Sequence, residues 1–424
     1  MRKRVIAFCC ALLMMSTLFC LPASALRKYD VHTEDFWAFS KAVSDSSRDV
    51  RSEVIVKARK KPDFRSLHPQ YTVEGPDDTY VVRFANAREA KRNLKRLQNL
   101  PGVQYAECND FVRVQGTAAR TADKGRSWGI RYMRSDVLAD WIYNNDIQSS
   151  AVVAVVDSGV QATHPLFNGR IHSGVSYLKT PYTEDESGHG TSVAGIIADV
   201  TDGLRVKLMI IKAINENNLG SLVDVTAGIK YAASHGADIV NISFVSDQCH
   251  PSLHDAIRYA IGCGCLPVIS SGNFGVNMDK DTCCPAHLDE PIVVSGCTNV
   301  GLPYFKNCYG STVDLCAPGS NIVTASKNGR YTRVSGTSFA VPHVSAVAAL
   351  YKLCYPNAGV TRLKQLLTEN TRDLGKIGFD TKYGWGVPAL NKADIVSTGV
   401  SPTAHFGFIQ WMEYILFFDW IRYI

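Results

Sequence analysis

Four polar residues stand where turns of small residues adjoin apolar segments: Asp157, His189, Asn273 and Ser338. Ser338 follows Gly336-Thr337 and opens an apolar run with no charge until Lys352, which reads as a buried helix displaying the hydroxyl in its first turn. Unpaired N–H groups and the positive end of the helix would stabilise negative charge developing on an oxygen there. Serine is also a common helix cap, so its partners must decide its role. Asp157 ends the run Val153–Val156 at an Asp-Ser-Gly turn, where a carboxylate is costly to bury unless paired. His189 lies between Gly188 and Gly190, glycines that permit close approach of the backbone to a ligand. Asn273 follows the strand-like Val268–Ser270 and offers a neutral donor that could face an oxyanion. A serine hydroxyl is a weak nucleophile and needs a base. The base needs a carboxylate to fix its tautomer, and a tetrahedral intermediate needs donors.

The segments around these residues alternate in period. Apolar runs at 151–156, 206–214, 237–243, 266–270 and 291–296 read as strands, and 191–200, 222–235 and 252–263 as helices. The alternation predicts an α/β domain of three layers, a mostly parallel central sheet with helices on both faces, with chemistry gathered at the carboxyl ends of the strands. Residues 27–115 read as a separate small α+β domain. It has strands near 52–57, 79–84 and 103–106, and a helix at 87–100 with Ala90, Leu94 and Leu97 at helical spacing, broken by Pro101-Gly102. Residues 116–127 are small and polar and read as a linker.

The chain has 424 residues with 46% apolar content, enough for a sizeable core and against a mainly disordered polypeptide. Arg2-Lys3-Arg4, an apolar run to Leu21 and Ala23-Ser24-Ala25 have the three parts of a secretory signal at 1–25, which places the product outside the cell or in its envelope. The formal net charge of +6 belongs to the N-terminal part, because residues 127–424 carry 22 basic and 25 acidic side chains. That balance argues against a nucleic-acid partner.

Asp157, His189 and Ser338, in that chain order and with Asn273 between, resemble the subtilisin-like serine protease family in the residues around all four positions. The likeness runs from Trp128 to Ile395, where Tyr383–Asn391 resembles the family's closing segment, and the catalytic domain is set at 128–397. The resemblance implies peptide-bond hydrolysis in which Asp157 orients His189, His189 is the base toward Ser338, and Asn273 with the Ser338 N–H binds the oxyanion. It implies Ser243, Phe244, Val245, Ser271 and Gly272 along the substrate, with Val245 narrowing the first specificity pocket, protein or peptide substrates and no cofactor. The segment from Tyr80 to Glu107 resembles the family's inhibitory prodomain, which implies a zymogen that cuts itself within 116–127. Ser192, Leu166 and the short loop 199–205 depart from the family pattern, so calcium is not expected at that site.

Thirteen cysteines are present, three of them in the signal and Cys108 in the small domain, which leaves an odd nine. At least one is therefore unpaired in a monomer, the expected active unit, and both disulfides and free thiols remain open. Cys263-Gly264-Cys265 and Cys283-Cys284 lack a second matching pair at zinc-finger spacing, so no metal site is expected. Glu184-Asp185-Glu186 precedes the His189 turn and reads either as a solvated acidic loop whose charges are screened or as an acidic field that attracts positive substrates. The aromatic tail 398–424 admits docking on the protein's own surface or contact with a membrane surface. A catalytically dead homologue would be expected to lack one of the four residues. An esterase of the α/β-hydrolase type would show Gly-x-Ser-x-Gly and the order Ser, Asp, His.

Overall fold

The computed structural model describes residues 49–75, 77–122 and 127–388, so the signal segment and the aromatic tail lie outside the described residues. The small N-terminal domain comprises β1 (Glu53–Ala58), β2 (Tyr71–Glu74), β3 (Thr79–Arg83), α1 (Ala87–Gln98) and β4 (Val103–Cys108). Its strands form an antiparallel sheet in the order β2-β3-β1-β4. The period-two alternation of β1 and β3 divides their side chains between two cores. Val54, Val56, Tyr80 and Val82 pack with Ala90 and Leu97 of α1, whereas Ile55 and Val81 join the core of the large domain. Asn86 caps α1 by accepting from the Glu89 N–H, and Gly102 at φ +84° makes the turn that Pro101-Gly102 announced.

Two strands continue from this domain, β5 (Phe111–Val114) and β6 (Thr117–Ala122). The large domain then runs α2 (Trp128–Met133), α3 (Ser135–Asn144), β7 (Ala151–Asp157), β8 (Ile171–Ser176), α4 (His189–Val200), β9 (Val206–Lys212) and β10 (Leu219–Ser221). It proceeds through α5 (Leu222–Ser234), β11 (Ile239–Ile242), β12 (Phe244–Val245), α6 (Pro251–Gly262), β13 (Leu266–Ser270) and β14 (Ile292–Cys297). It ends with β15 (Leu315–Pro318), β16 (Ile322–Ala325), β17 (Tyr331–Ser335), α7 (Thr337–Cys354) and α8 (Val360–Glu369), before a short closing hairpin.

Seven strands form the central sheet in the order β15-β14-β13-β11-β7-β9-β8, every neighbouring pair parallel. Helices α5 and α6 cover one face and α3, α4 and α7 the other, the three-layer arrangement that the continuous apolar strands require. The carboxyl ends of β7, β11 and β13 lead directly to Asp157, Ser243 and Ser271, so one edge of the sheet collects the polar residues.

The linker expected at 116–127 is in part a strand. β6 pairs antiparallel with β17, Thr117 opposite Ser335 and Ala122 opposite Tyr331. Small polar side chains leave the backbone donors and acceptors intact, so composition does not reveal an edge strand that joins through main-chain bonds alone.

Candidate active site

His189 opens α4 after Gly188, whose φ of +92° is a conformation that side chains rarely adopt. A Cβ on Gly190 would lie 2.2 Å from the Gly159 carbonyl, so glycine there lets the helix start against the end of β7. The imidazole Nδ1 consequently lies 2.8 and 2.9 Å from the two carboxylate oxygens of fully buried Asp157. Nδ1–H donating to that carboxylate leaves Nε2 as the basic nitrogen, and Nε2 is buried with no hydrogen-bond partner among the described residues. Ser271 Oγ and Thr337 Oγ1 share that condition.

A second carboxylate, which the spacing of residues did not single out, fixes this turn. Asp185 is buried and accepts from Ser158 Oγ at 2.8 Å, Gly188 N at 2.7 Å, Thr191 N at 2.8 Å and Thr191 Oγ1 at 2.5 Å. Burial raises its pKa, and these donors oppose the rise. The acidic field expected from Glu184-Asp185-Glu186 is therefore largely consumed by structure. Asp185 ties the start of α4, Glu186 is exposed but pairs with the fully buried Lys212 ammonium, and Glu184 keeps an exposed side chain. Asp185 stands four residues before His189, and its role was masked in the sequence because an acidic triplet reads as solvated.

Ser338 lies in the first turn of α7, after Gly336 at φ +148°. Pro342 sits four residues further along the helix and has no N–H to offer the Ser338 carbonyl. That carbonyl accepts instead from Ser243 Oγ at 3.0 Å, and Ser243 Oγ in turn accepts from Asn241 Nδ2 at 2.9 Å. Asn241 Oδ1 accepts from Ser345 Oγ at 3.0 Å, closing a buried polar chain from β11 to α7. The proline thus creates the vacancy that ties the nucleophile's helix to the strand beside it.

The structure also places a piece of the chain itself in the cleft. β5 lies between β10 and β12 in an antiparallel three-stranded sheet, Arg113 opposite both Leu219 and Val245. One residue beyond β5, the Gln115 carbonyl oxygen is 2.7 Å from Ser338 Oγ and accepts from Asn273 Nδ2 at 3.1 Å. Asn273 is oriented by its own Oδ1, which accepts from Thr337 N at 2.9 Å. Ser338 Oγ also lies 3.0 Å from the Ser243 carbonyl, and its hydrogen-bond partners among the described residues are these two carbonyls rather than His189. Of the five residues expected along a substrate, Phe244 and Val245 form β12 beside the inserted strand, and Ser243 contacts Ser338 directly. Gly272 has φ +100°, and a Cβ there would meet Cys283 Sγ at 2.8 Å, with Val245 Cγ1 at 3.6 Å; Ser271 precedes it at the end of β13. All ten cysteines among the described residues are thiols. Burial pushes the Cys354 thiol up to about 12.

The small domain is fastened to the large one by polar contacts on α5 and α6. Glu107 accepts from the Ser252 N–H at 2.7 Å, Tyr105 O–H donates to Asp255 at 3.0 Å, and Lys230 on α5 pairs with Asp77 at 3.2 Å. Val223 N donates to Asn109 Oδ1 at 3.2 Å.

Comparison with known proteins gives the class. The profile of the Subtilase family matches residues 148–386. The chain is 32% identical over 302 residues to the thermophilic serine proteinase of Bacillus sp. strain AK1, covering 69% of this chain and 73% of that one. It is 31% identical over 370 residues to the M-protease of Shouchella clausii, covering 82% and 93%. Among solved structures, a cold adapted subtilisin-like serine proteinase superposes with a TM-score of 0.52 at 28% identity, covering 57% of this chain and 89% of that one. The chain belongs to the subtilase family of serine proteases. It is a hydrolase acting on peptide bonds.

Proposed function

We propose that this chain is the zymogen of a secreted serine endopeptidase that matures by cutting its own Gln115–Gly116 bond. The observation that carries the reading is the Gln115 carbonyl oxygen, which accepts from Asn273 Nδ2 at 3.1 Å and lies 2.7 Å from Ser338 Oγ. Residues 27–115 act as the intramolecular inhibitor, β5 occupies the substrate channel as a product strand would, and 128–397 form the catalytic domain. No backbone freedom is lost when β5 pairs with β10 and β12, because the folded small domain already holds it in place.

In this mechanism Ser338 Oγ attacks the Gln115 carbonyl carbon while His189 Nε2 takes the hydroxyl proton. Asp157 holds the imidazole in the tautomer with Nδ1 protonated and stabilises the imidazolium that forms. Asn273 Nδ2 and the Ser338 N–H receive the oxyanion, charge that is absent in the ground state and therefore selectively stabilised. The Gln115–Gly116 bond breaks as His189 returns its proton to the Gly116 amine. Water then attacks the acyl-enzyme by the same proton path, releasing the Gln115 carboxylate and regenerating Ser338. Ser243, Phe244, Val245, Ser271 and Gly272 line the path of a protein substrate, with Val245 against the first specificity pocket. The similarity to the extracellular protease Epr of Bacillus subtilis, 30% identical over 316 residues, supports secretion, as does the signal-like segment 1–25.

The test is the Ser338→Ala chain, which should remain uncut at Gln115–Gly116 while the parent is processed. Loss of turnover on casein should be on the order of 10⁶, the scale of removing such a serine in subtilisin. Processing of the alanine variant at the same bond in a protease-free preparation would defeat the reading.

A further inference from the structure

Away from the triad, three potential metal ligands converge at the start of α6. Cys249 Sγ, His254 Nε2 and His287 Nε2 all lie within 4.8 Å of one another. Cys249 Sγ is 3.5 Å from His254 Nε2 and 3.9 Å from His287 Nε2. Cys284 Sγ also lies 3.5 Å from His254 Nε2, but outside the cluster of mutually close ligand atoms. With Zn–S near 2.3 Å and Zn–N near 2.0–2.1 Å, the nitrogen and sulfur ligands of a tetrahedral zinc are about 3.5 Å apart. The two separations of Cys249 Sγ from the histidine nitrogens are close to that edge.

From this geometry we propose that Cys249, His254 and His287 bind one zinc ion, with water in the fourth position. Cys249-x4-His254 turns into α6, and His287 joins it from the segment between β13 and β14. His287 Nδ1 lies 3.5 Å from the Cys283 carbonyl, a contact that presents Nε2 inward, as in ligating histidines whose other nitrogen donates to a backbone oxygen. The rings of His254 and His287 stand 4.9 Å apart at 62°, so their Nε2 edges converge without stacking. Ligation takes Cys249 as the thiolate, so binding releases its one thiol proton to solvent with no change of oxidation state.

The site clamps the wall of the substrate cleft. Ser246, the residue after β12, exchanges two backbone bonds of 2.9 Å with Cys284. A metal tying 249 and 254 to 287 closes that wall from behind and fixes Val245 in place. A search for matching cysteine pairs passes over a set of one cysteine and two histidines.

The test is titration of the full, reduced chain with Co²⁺ and then Zn²⁺. One Co²⁺ per chain should bind with a thiolate-to-cobalt charge-transfer band, and one equivalent of Zn²⁺ should abolish the band and leave one proton released per site. Exposed Cys249→Ser, which spares the core, should weaken binding more than tenfold, as should His287→Gln. Exposed Cys263→Ser should leave binding unchanged. Absence of the band, its persistence in the Cys249→Ser/His287→Gln double variant, or peptide mapping that finds Cys249 in a disulfide would each overturn the proposal. None of these readouts depends on proteolytic activity.

Discussion

Replacing Ser243 by Ala tests how the nucleophile's helix is held. The change removes the hydroxyl that donates to the Ser338 carbonyl and accepts from Asn241 Nδ2, bonds of 3.0 and 2.9 Å in a fully buried setting. Two polar groups lose their partner, and a buried orphan costs about 1–3 kcal/mol, so the loss should be about 2–6 kcal/mol. Pro342→Ala is the informative companion. It supplies an N–H four residues after Ser338, which can satisfy the same carbonyl through an ordinary helical bond. Once that carbonyl has a partner again, Ser243→Ala should cost about 1–3 kcal/mol less in the Pro342→Ala background than in the parent. The four corners of this cycle are measured by urea unfolding at equilibrium, in full chains carrying Ser338→Ala to prevent self-digestion. Additivity within about 0.5 kcal/mol would refute the claim that the proline vacancy and Ser243 are coupled.

Asp185→Asn replaces four-donor acceptance by an amide that points its own hydrogens at N–H groups, so it should destabilise by about 2–6 kcal/mol and lower kcat more than it raises KM. An unchanged melting curve and unchanged kcat would contradict the role assigned to that carboxylate. His343, fully buried on α7, has its pKa lowered from 6.5 to about 4 by desolvation. A base with a depressed folded pKa binds its proton more weakly than in the unfolded chain, so stability present above pH 6.5 is lost as pH falls toward 4, by about 3 kcal/mol. His343→Gln should flatten that part of the stability profile between pH 7 and 4, and a slope identical to the parent's would dismiss the assignment.

The layered α/β architecture was legible because its strands are continuous apolar runs and its helices carry small residues at helical spacing. Leu266–Ser270 was placed at its observed limits, and most other boundaries fall within two residues of those expected. The strands that build the cleft were not legible. β10 and β12 span three and two residues, too short for a periodic signal, and β5 acquires its meaning only from the two strands that flank it. Asp157, His189, Asn273 and Ser338 could be singled out because each stands among glycines or small polar residues next to an apolar segment. Asp185 and Asn241 could not, since one sits in an acidic triplet and the other inside a strand, and only the fold supplies their partners. The cluster at 249, 254 and 287 escaped for a related reason, its parts being brought together by the Ser246–Cys284 pairing.

The central claim is that the chain's own Gln115 carbonyl marks the bond this protease cuts first. Intact mass and N-terminal sequencing of the mature protein, taken after labelling with a fluorophosphonate, test it in one preparation. The account predicts a mature chain beginning at Gly116 with a single label on Ser338. A mature N-terminus elsewhere, or a label on another serine, would contradict it.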